Sequence, residues 1–167
     1  EALYNDFKID IVCLMPTNVY GFNDNFDKFN GHVIPAMISK FLDVKKKKLK
    51  RITLLGSGRP IREFIHSDDL AAAIINCLKV PKSKFKKKFK NEIPIINVGT
   101  GESISILNLA KLIAKLVDFK GKIIFDKNFP DGTFRKDLDS KKINDLGWKP
   151  KIKLADGLKQ IIKHRYI

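Results

Sequence analysis

Short apolar runs of strand length alternate with longer stretches of helical periodicity along the whole chain, and that alternation restricts the fold to the α/β class. "DIVCLM" (10–15) is apolar throughout and ends at Pro16, as expected of a strand buried on both faces in a parallel sheet. Helical spacing follows through Val33, Ala36, Met37, Phe41 and Leu42 in "HVIPAMISKFLDV". Further strands are expected at "RITLL", "REFIH", "IPIINV" and "GKIIFD". Further helices are expected at "DLAAAIINCLK", "ILNLAKLIAKLV", "DSKKINDLGW" and "LADGLKQIIKHRY". Ser67 or Asp68 is expected to cap the first of these, Ser105 the second, and Gly147 to end the third. The chain contains no internal repeat.

A length of 167 residues with 44% hydrophobic content suffices for one domain or part of one. "EALYNDFK" reads as the end of an amphipathic helix with Ala2, Leu3 and Phe7 on one face, so the chain is expected to begin inside something larger. Lys and Arg number 33 against 18 Asp and Glu, a net charge of +15 that raises nucleic acid or an anionic membrane as partners. Much of the excess lies in "KKKKLKR" (45–51) and "KVPKSKFKKKFK" (79–90), each placed where a helical pattern has just ended, and reads as solvated connecting loops. Phe85 and Phe89 interleave with the second run, which keeps a phosphate-and-stacking surface as a rival, but no nucleic-acid motif accompanies it. No nucleic acid and no membrane are therefore expected as partners. Cys13 and Cys77 sit in apolar segments without disulfide or zinc spacing and are expected to be core thiols of a reducing compartment. No metal site is expected. No apolar run approaches the ~20 residues that span a bilayer, and a cytoplasmic location is the expectation.

Two glycine turns invite a dinucleotide reading and fail it. In "NVGTGESISILNLAKL" a strand, a G-x-G and a helix follow in order, but Ile104 stands where the third glycine would allow close helix–strand packing. "GSGRPI" fails at Ile61 and leads into a strand. Both are expected to be tight turns. By contrast, Asn18, Tyr20, Asn23, Asn25 and His32 cluster just past the first strand, where open α/β sheets bind ligands. On its own, a histidine at a helix start is more often a capping or partly buried group than a catalyst; His66 reads as a strand–helix junction and His164 as a helix-dipole partner.

Taken together, "PTNVYG", "DNF", "GHVIPAMI", "LLGSGRPIREFIHSDDLAAA", "INVGTGESISILNLAKLI" and "PDGTFRKDLDSKKINDLGW" resemble the carboxyl-terminal half of an extended short-chain dehydrogenase/reductase, and within that superfamily the GDP-L-fucose synthase family. The resemblance implies the last strands of a Rossmann-type parallel sheet plus a small substrate-binding α/β subdomain over residues 1–167, without the dinucleotide-binding portion. It implies a homodimeric NADPH-dependent 3,5-epimerase and 4-reductase that turns GDP-4-keto-6-deoxy-D-mannose into GDP-L-fucose. By the family pattern His32 is the catalytic acid and, with Pro16, Thr17, Asn18 and Val19, lines the NADP(H) nicotinamide. Lys40, Leu55, Arg62, Asp131 and Lys136 match its substrate-binding positions, with Lys40 in place of an arginine, Leu55 in place of an aromatic and Phe134 in place of a proline. Tyr4 and Lys8 stand four apart, but the resemblance places the family's Tyr-x-x-x-Lys helix, and its catalytic cysteine, upstream of Glu1. Two rivals remain: another nucleotide-sugar epimerase or dehydratase taking UDP- or dTDP-sugars, and a non-enzymatic basic binding module.

Overall fold

The computed structural model describes residues 6, 7, 9–90 and 92–166. Strands β1 (Cys13–Pro16) and β2 (Asn18–Tyr20) are separated only by Thr17, and helix α1 (Val33–Lys46) follows a turn-rich segment. Next come β3 (Arg51–Leu55), β4 (Ile61–His66), α2 (Ser67–Lys79), α3 (Lys82–Phe89) and β5 (Ile95–Val98). The chain continues through β6 (Ser103–Ser105), α4 (Ile106–Leu116), β7 (Lys122–Asp126), β8 (Arg135–Lys136), α5 (Lys141–Asp145) and α6 (Leu154–Tyr166).

Parallel pairing dominates. β1 runs parallel to β5 with Pro16 opposite Val98, and β3 runs parallel to β7 with Leu54 opposite Phe125. β4 is the hub: its last residues pair in parallel with β2, and its first residues lie between antiparallel β6 and parallel β8. The alternation of a strand then splits the interior in two. Phe64 joins a core built on α1, α4 and α6 with Tyr20, Phe41 and Leu158, whereas the next residue, Ile65, joins a second core with Cys77, Ile96, Ile143 and Trp148. Each fully buried large side chain, Phe41 and Ile113 among them, contributes about 1.5–3 kcal/mol by its transfer from water.

Several expectations hold and several need correcting. Ser105 caps α4 by accepting from the Asn108 amide, and Gly147 takes φ +96° just past α5. The cap of α2 is neither Ser67 nor Asp68 but His66, whose Nδ1 accepts from the Asp68 amide at 3.2 Å; the helix begins at Ser67, one residue earlier than a serine cap requires. The second lysine run is helix α3 and not a loop. Its Phe85 and Phe89, one turn apart, pack inward on the second core, and Lys142 lies 5.3 Å over the Phe89 ring, so these rings are already engaged. The first run ends α1 and turns at Lys48, which adopts φ 52°. β1 is covered on one face only: Leu14 meets the second core, while Cys13, Met15 and, on β5, Ile95 are exposed, so Cys13 is not a core thiol. Cys77 is buried, and that burial pushes its thiol up. β2, β6 and β8 are too short to register as periodic runs. The helix expected over 1–8 lies outside the described residues apart from Asp6 and Phe7, which are exposed.

Two buried carboxyl groups tie loops to this frame. Asp69, in the first turn of α2, accepts from the amides of Lys151 and Ile152 and so places the segment leading into α6. Glu63, fully buried on β4, accepts through Oε1 from the Gly101 amide at 2.7 Å and the Thr100 hydroxyl, and through Oε2 from the Leu138 amide at 2.8 Å. Gly99 passes so close that a Cβ there would overlap Glu63 Oε1. Among the described residues no helix is long and apolar enough to cross a membrane.

Glu63→Gln preserves shape but turns an amide NH2 toward one of the backbone N–H groups. The expected cost is about 1–3 kcal/mol, read as a lower urea midpoint at unchanged slope. An unchanged midpoint would show that the two loops are not held by both carboxyl oxygens.

Candidate functional site

The site is built where β1 ends. The Thr17 amide donates to the Val98 carbonyl at 3.0 Å, extending the β1–β5 ladder by one step. The Thr17 hydroxyl and the Asn18 side-chain amide both donate to the backbone carbonyl of Glu63, at 3.0 and 2.8 Å. The crossing from β1 to β2 is thereby fixed against β4. Past Tyr20 the chain folds through turns made by its own carboxyl and amide groups. Asp24 Oδ1 accepts from the Asn25 amide, and Asp27 Oδ1 accepts from the amides of Phe29 and Asn30 at 2.9 and 2.6 Å. The Asn30 and Phe29 amides, in that order, hold the Asp27 carboxyl below the usual range. Gly31 has no room for a Cβ against the carbonyls of Asn25 and Asp27.

This loop delivers His32 to the N-cap position of α1 in extended conformation, φ −62° and ψ 165°, and its side chain makes no capping bond. The ring is 82% exposed, with Nδ1 3.5 Å from Asp24 Oδ1. His32 is thus neither a capping group nor a core histidine. A cavity of about 260 Å³ opens beside it, lined by Asn18, Val19, Tyr20, Val33 and Phe64. Pro16 and Thr17 do not line it; Thr17 lies behind, with its hydroxyl occupied.

A second cavity, about 300 Å³, lies on the other side of α1's first turn and brings together Lys40, Leu55, Arg62 and Asp131 from four separate segments. Val33, Ala36, Met37 and Lys40 follow the i, i+3, i+4, i+7 spacing of one helical face and form its floor. Val33 also lines the first cavity, so the two adjoin. Arg62 does not pair with Glu63: its Nη1 donates to the Ile61 carbonyl, and Nη2 lies 3.4 Å from where a Gly132 Cβ would stand. Lys136 is outside the lining, but the β4–β8 register sets it beside Arg62.

Asp131 lines this cavity and is also bonded within the protein. Its Oδ1 accepts from the Ser57 amide at 2.8 Å and its Oδ2 from the Ser57 hydroxyl at 2.5 Å, so both oxygens are engaged in latching the 130–132 segment onto the Gly56–Gly58 turn. That turn needs its glycines, with φ +82° at Gly56 and +74° at Gly58. The Ser57 hydroxyl and amide, then Arg59 and Arg62, hold the Asp131 carboxyl below the usual range. Sequence reasoning also missed Asp24, Ser57 and Phe29, all of which shape these cavities. Among the described residues no group of three or more His, Cys, Asp or Glu converges as a metal site.

Parallel pairing of β1 with β5, β2 with β4 and β3 with β7, joined by helices, defines an α/β protein of Rossmann type. Residues 1–99 match the NAD dependent epimerase/dehydratase family, and the chain belongs to that family. It is 42% identical over 154 residues, 92% of its length and 44% of the relative's, to the probable GDP-L-fucose synthase 1 of Oryza sativa subsp. japonica. A GDP-6-OMe-4-keto-L-xylo-heptose reductase from C. jejuni matches with TM-score 0.85 at 30% identity, over 99% of this chain and 56% of that one. A GDP-D-glycero-L-gluco-heptose synthase from Campylobacter jejuni, solved in the presence of NADPH, matches with TM-score 0.82 at 28% identity, over 99% and 56%. The chain spans about half the length of the curated relatives it matches.

Because the Asp131 carboxyl is depressed in the folded protein, the latch is complete above the ordinary aspartate pKa of about 3.9 and is lost as pH falls through the lowered value. A carboxyl-carbon NMR titration is expected to show Asp131 titrating below ordinary aspartates, and Ser57→Ala to move it upward. No movement in Ser57→Ala would dissolve the latch.

Proposed function

We propose that this chain is the carboxyl-terminal, substrate-binding half of a GDP-L-fucose synthase, which converts GDP-4-keto-6-deoxy-D-mannose to GDP-L-fucose with NADPH. The observation that supports it most is the junction at Val33, where a cavity beside His32 adjoins one holding Lys40 and Arg62. A sugar nucleotide needs that pairing: a reacting group at one end and cations for a diphosphate at the other. Arg62 offers a planar fork and Lys40 a point charge, with Lys136 alongside. Leu55 supplies apolar contact, and Asp131 holds the wall through Ser57 instead of touching the ligand.

The 4-keto group of the substrate acidifies the C3 and C5 protons, so removal on one face and return on the other inverts each centre. His32 returns the proton: with Nδ1 toward Asp24, Nε2 is the atom left for the sugar. A bound nicotinamide supplies the hydride for reduction at C4. Asn18 and Val19, with Pro16 and Thr17 setting the backbone behind them, would hold its ring at the first cavity. Neither glycine turn in this chain fits a pyrophosphate, since Ile104 and Ile61 occupy the decisive positions. The same reading makes the protein a cytoplasmic homodimer whose partner is a GDP-sugar, with no role for nucleic acid or membranes.

The UDP- or dTDP-sugar rival is separated by titrating GDP, UDP and dTDP against the full-length protein. The basic-module rival predicts RNA affinity that falls steeply with salt, and the inward packing of Phe85 and Phe89 weighs against it.

In the full-length enzyme, His32→Asn is expected to abolish solvent-deuterium exchange at C3 and C5 of the substrate while leaving GDP affinity within about twofold, because the replaced ring lies outside the cationic cavity. Undiminished exchange would remove His32 from the mechanism.

A further inference from the structure

Phe29 is 88% exposed, more than any other large hydrophobic side chain among the described residues, yet its backbone is among the most firmly held of the loop. Its amide donates to Asp27 Oδ1, the Asn30 amide donates to the same oxygen, and the Gly31 amide closes back onto the Asp27 carbonyl at 3.0 Å. A phenyl ring offered to water from a fixed backbone leaves apolar surface uncovered, which favours whatever flat apolar group can cover it. Its position says what that group is. Phe29 lines the mouth of the cavity that contains Lys40 and Arg62, and it is the one aromatic residue among those lining it. Leu55, just before the Gly56–Gly58 turn, is an exposed aliphatic side chain that offers no π-face.

From this juxtaposition we propose that Phe29 is the base platform of the nucleotide cavity: a purine ring stacks on its face while the diphosphate reaches Lys40 and Arg62. The inference rests on the nucleotide-sugar reading of that cavity and adds a determinant of base choice within it. A purine presents a larger π-face than a pyrimidine, so the contact favours GDP over UDP. The bonds from Asp27 fix the ring's attachment before the ligand arrives, and little further ordering is then required on binding. Floor and platform come from different elements, so α1 contributes phosphate charge and the preceding loop contributes base contact.

The test is calorimetric titration of GDP and of UDP into the full-length protein and its variants. Stacking of a base on an aromatic ring predicts that Phe29→Ala and Phe29→Leu each weaken GDP on the order of 5- to 100-fold and weaken UDP less. Phe29→Tyr is expected to restore GDP affinity, which a merely apolar contact would not require. Leu78→Ala, which removes another highly exposed apolar side chain outside the lining, is the control and is expected to leave both affinities unchanged. GDP affinity undiminished in Phe29→Ala, or an equal loss for GDP and UDP, would overturn the platform. Failure of the unaltered protein to bind either nucleotide would instead overturn the reading of the cavity itself.

Discussion

The Glu63 side chain is the contact on which the rest of the site depends. Through its side chain it draws in the turn after β5 and the segment after β8, and through its backbone carbonyl it receives Thr17 and Asn18. Three stretches of chain remote in sequence thus meet at one residue of the hub strand. A buried carboxyl group is unfavourable unless its oxygens are satisfied, and here the donors are mostly backbone amides that would otherwise need partners of their own. The same residue explains Gly99: only a glycine passes that close to the carboxyl oxygen.

With that frame fixed, α1 divides the site's labour. Its N-terminal turn presents His32 to one side, and the face from Val33 to Lys40 floors the cavity on the other. The loop before it is organised almost entirely by short-range bonds from Asp24, Asn25 and Asp27. Such bonds cost little chain entropy to form and leave the aromatic ring and the imidazole facing outward. Rigidity here comes from the polar residues, and the chemistry from the groups they leave unengaged.

Much of this was legible in the sequence. The α/β class followed from strand-length and helix-length apolar runs, and Lys40, Leu55, Arg62 and Asp131 do converge on one cavity. What escaped depended on distant contacts. Nothing local marks Glu63 as buried, because its neighbour Arg62 suggests an ion pair and the true partners lie up to 75 positions away. The bond from Ser57 to Asp131 escaped for the same reason, the two being 74 positions apart. The α3 helix was hidden by charge: Phe85 and Phe89 alone set its inward face, and six lysines between and around them obscured the period. β1 was expected to be covered twice because its composition is that of a central strand, whereas only one of its faces meets a described element.

The fit of Gly157 against Tyr20 couples the closing helix to the strand that lines the site. A Cβ at position 157 would overlap the Tyr20 hydroxyl and press within 3.1 Å of the His66 ring, and both rings are buried too tightly to yield. Burial, then Asp69 and Asp156, already hold the Tyr20 phenol well above its ordinary value, and its hydroxyl has no hydrogen-bond partner among the described residues. The two positions are therefore sterically coupled. A side chain at 157 requires the hydroxyl at 20 to give way, so the terminal helix constrains the cavity wall across 137 positions of sequence.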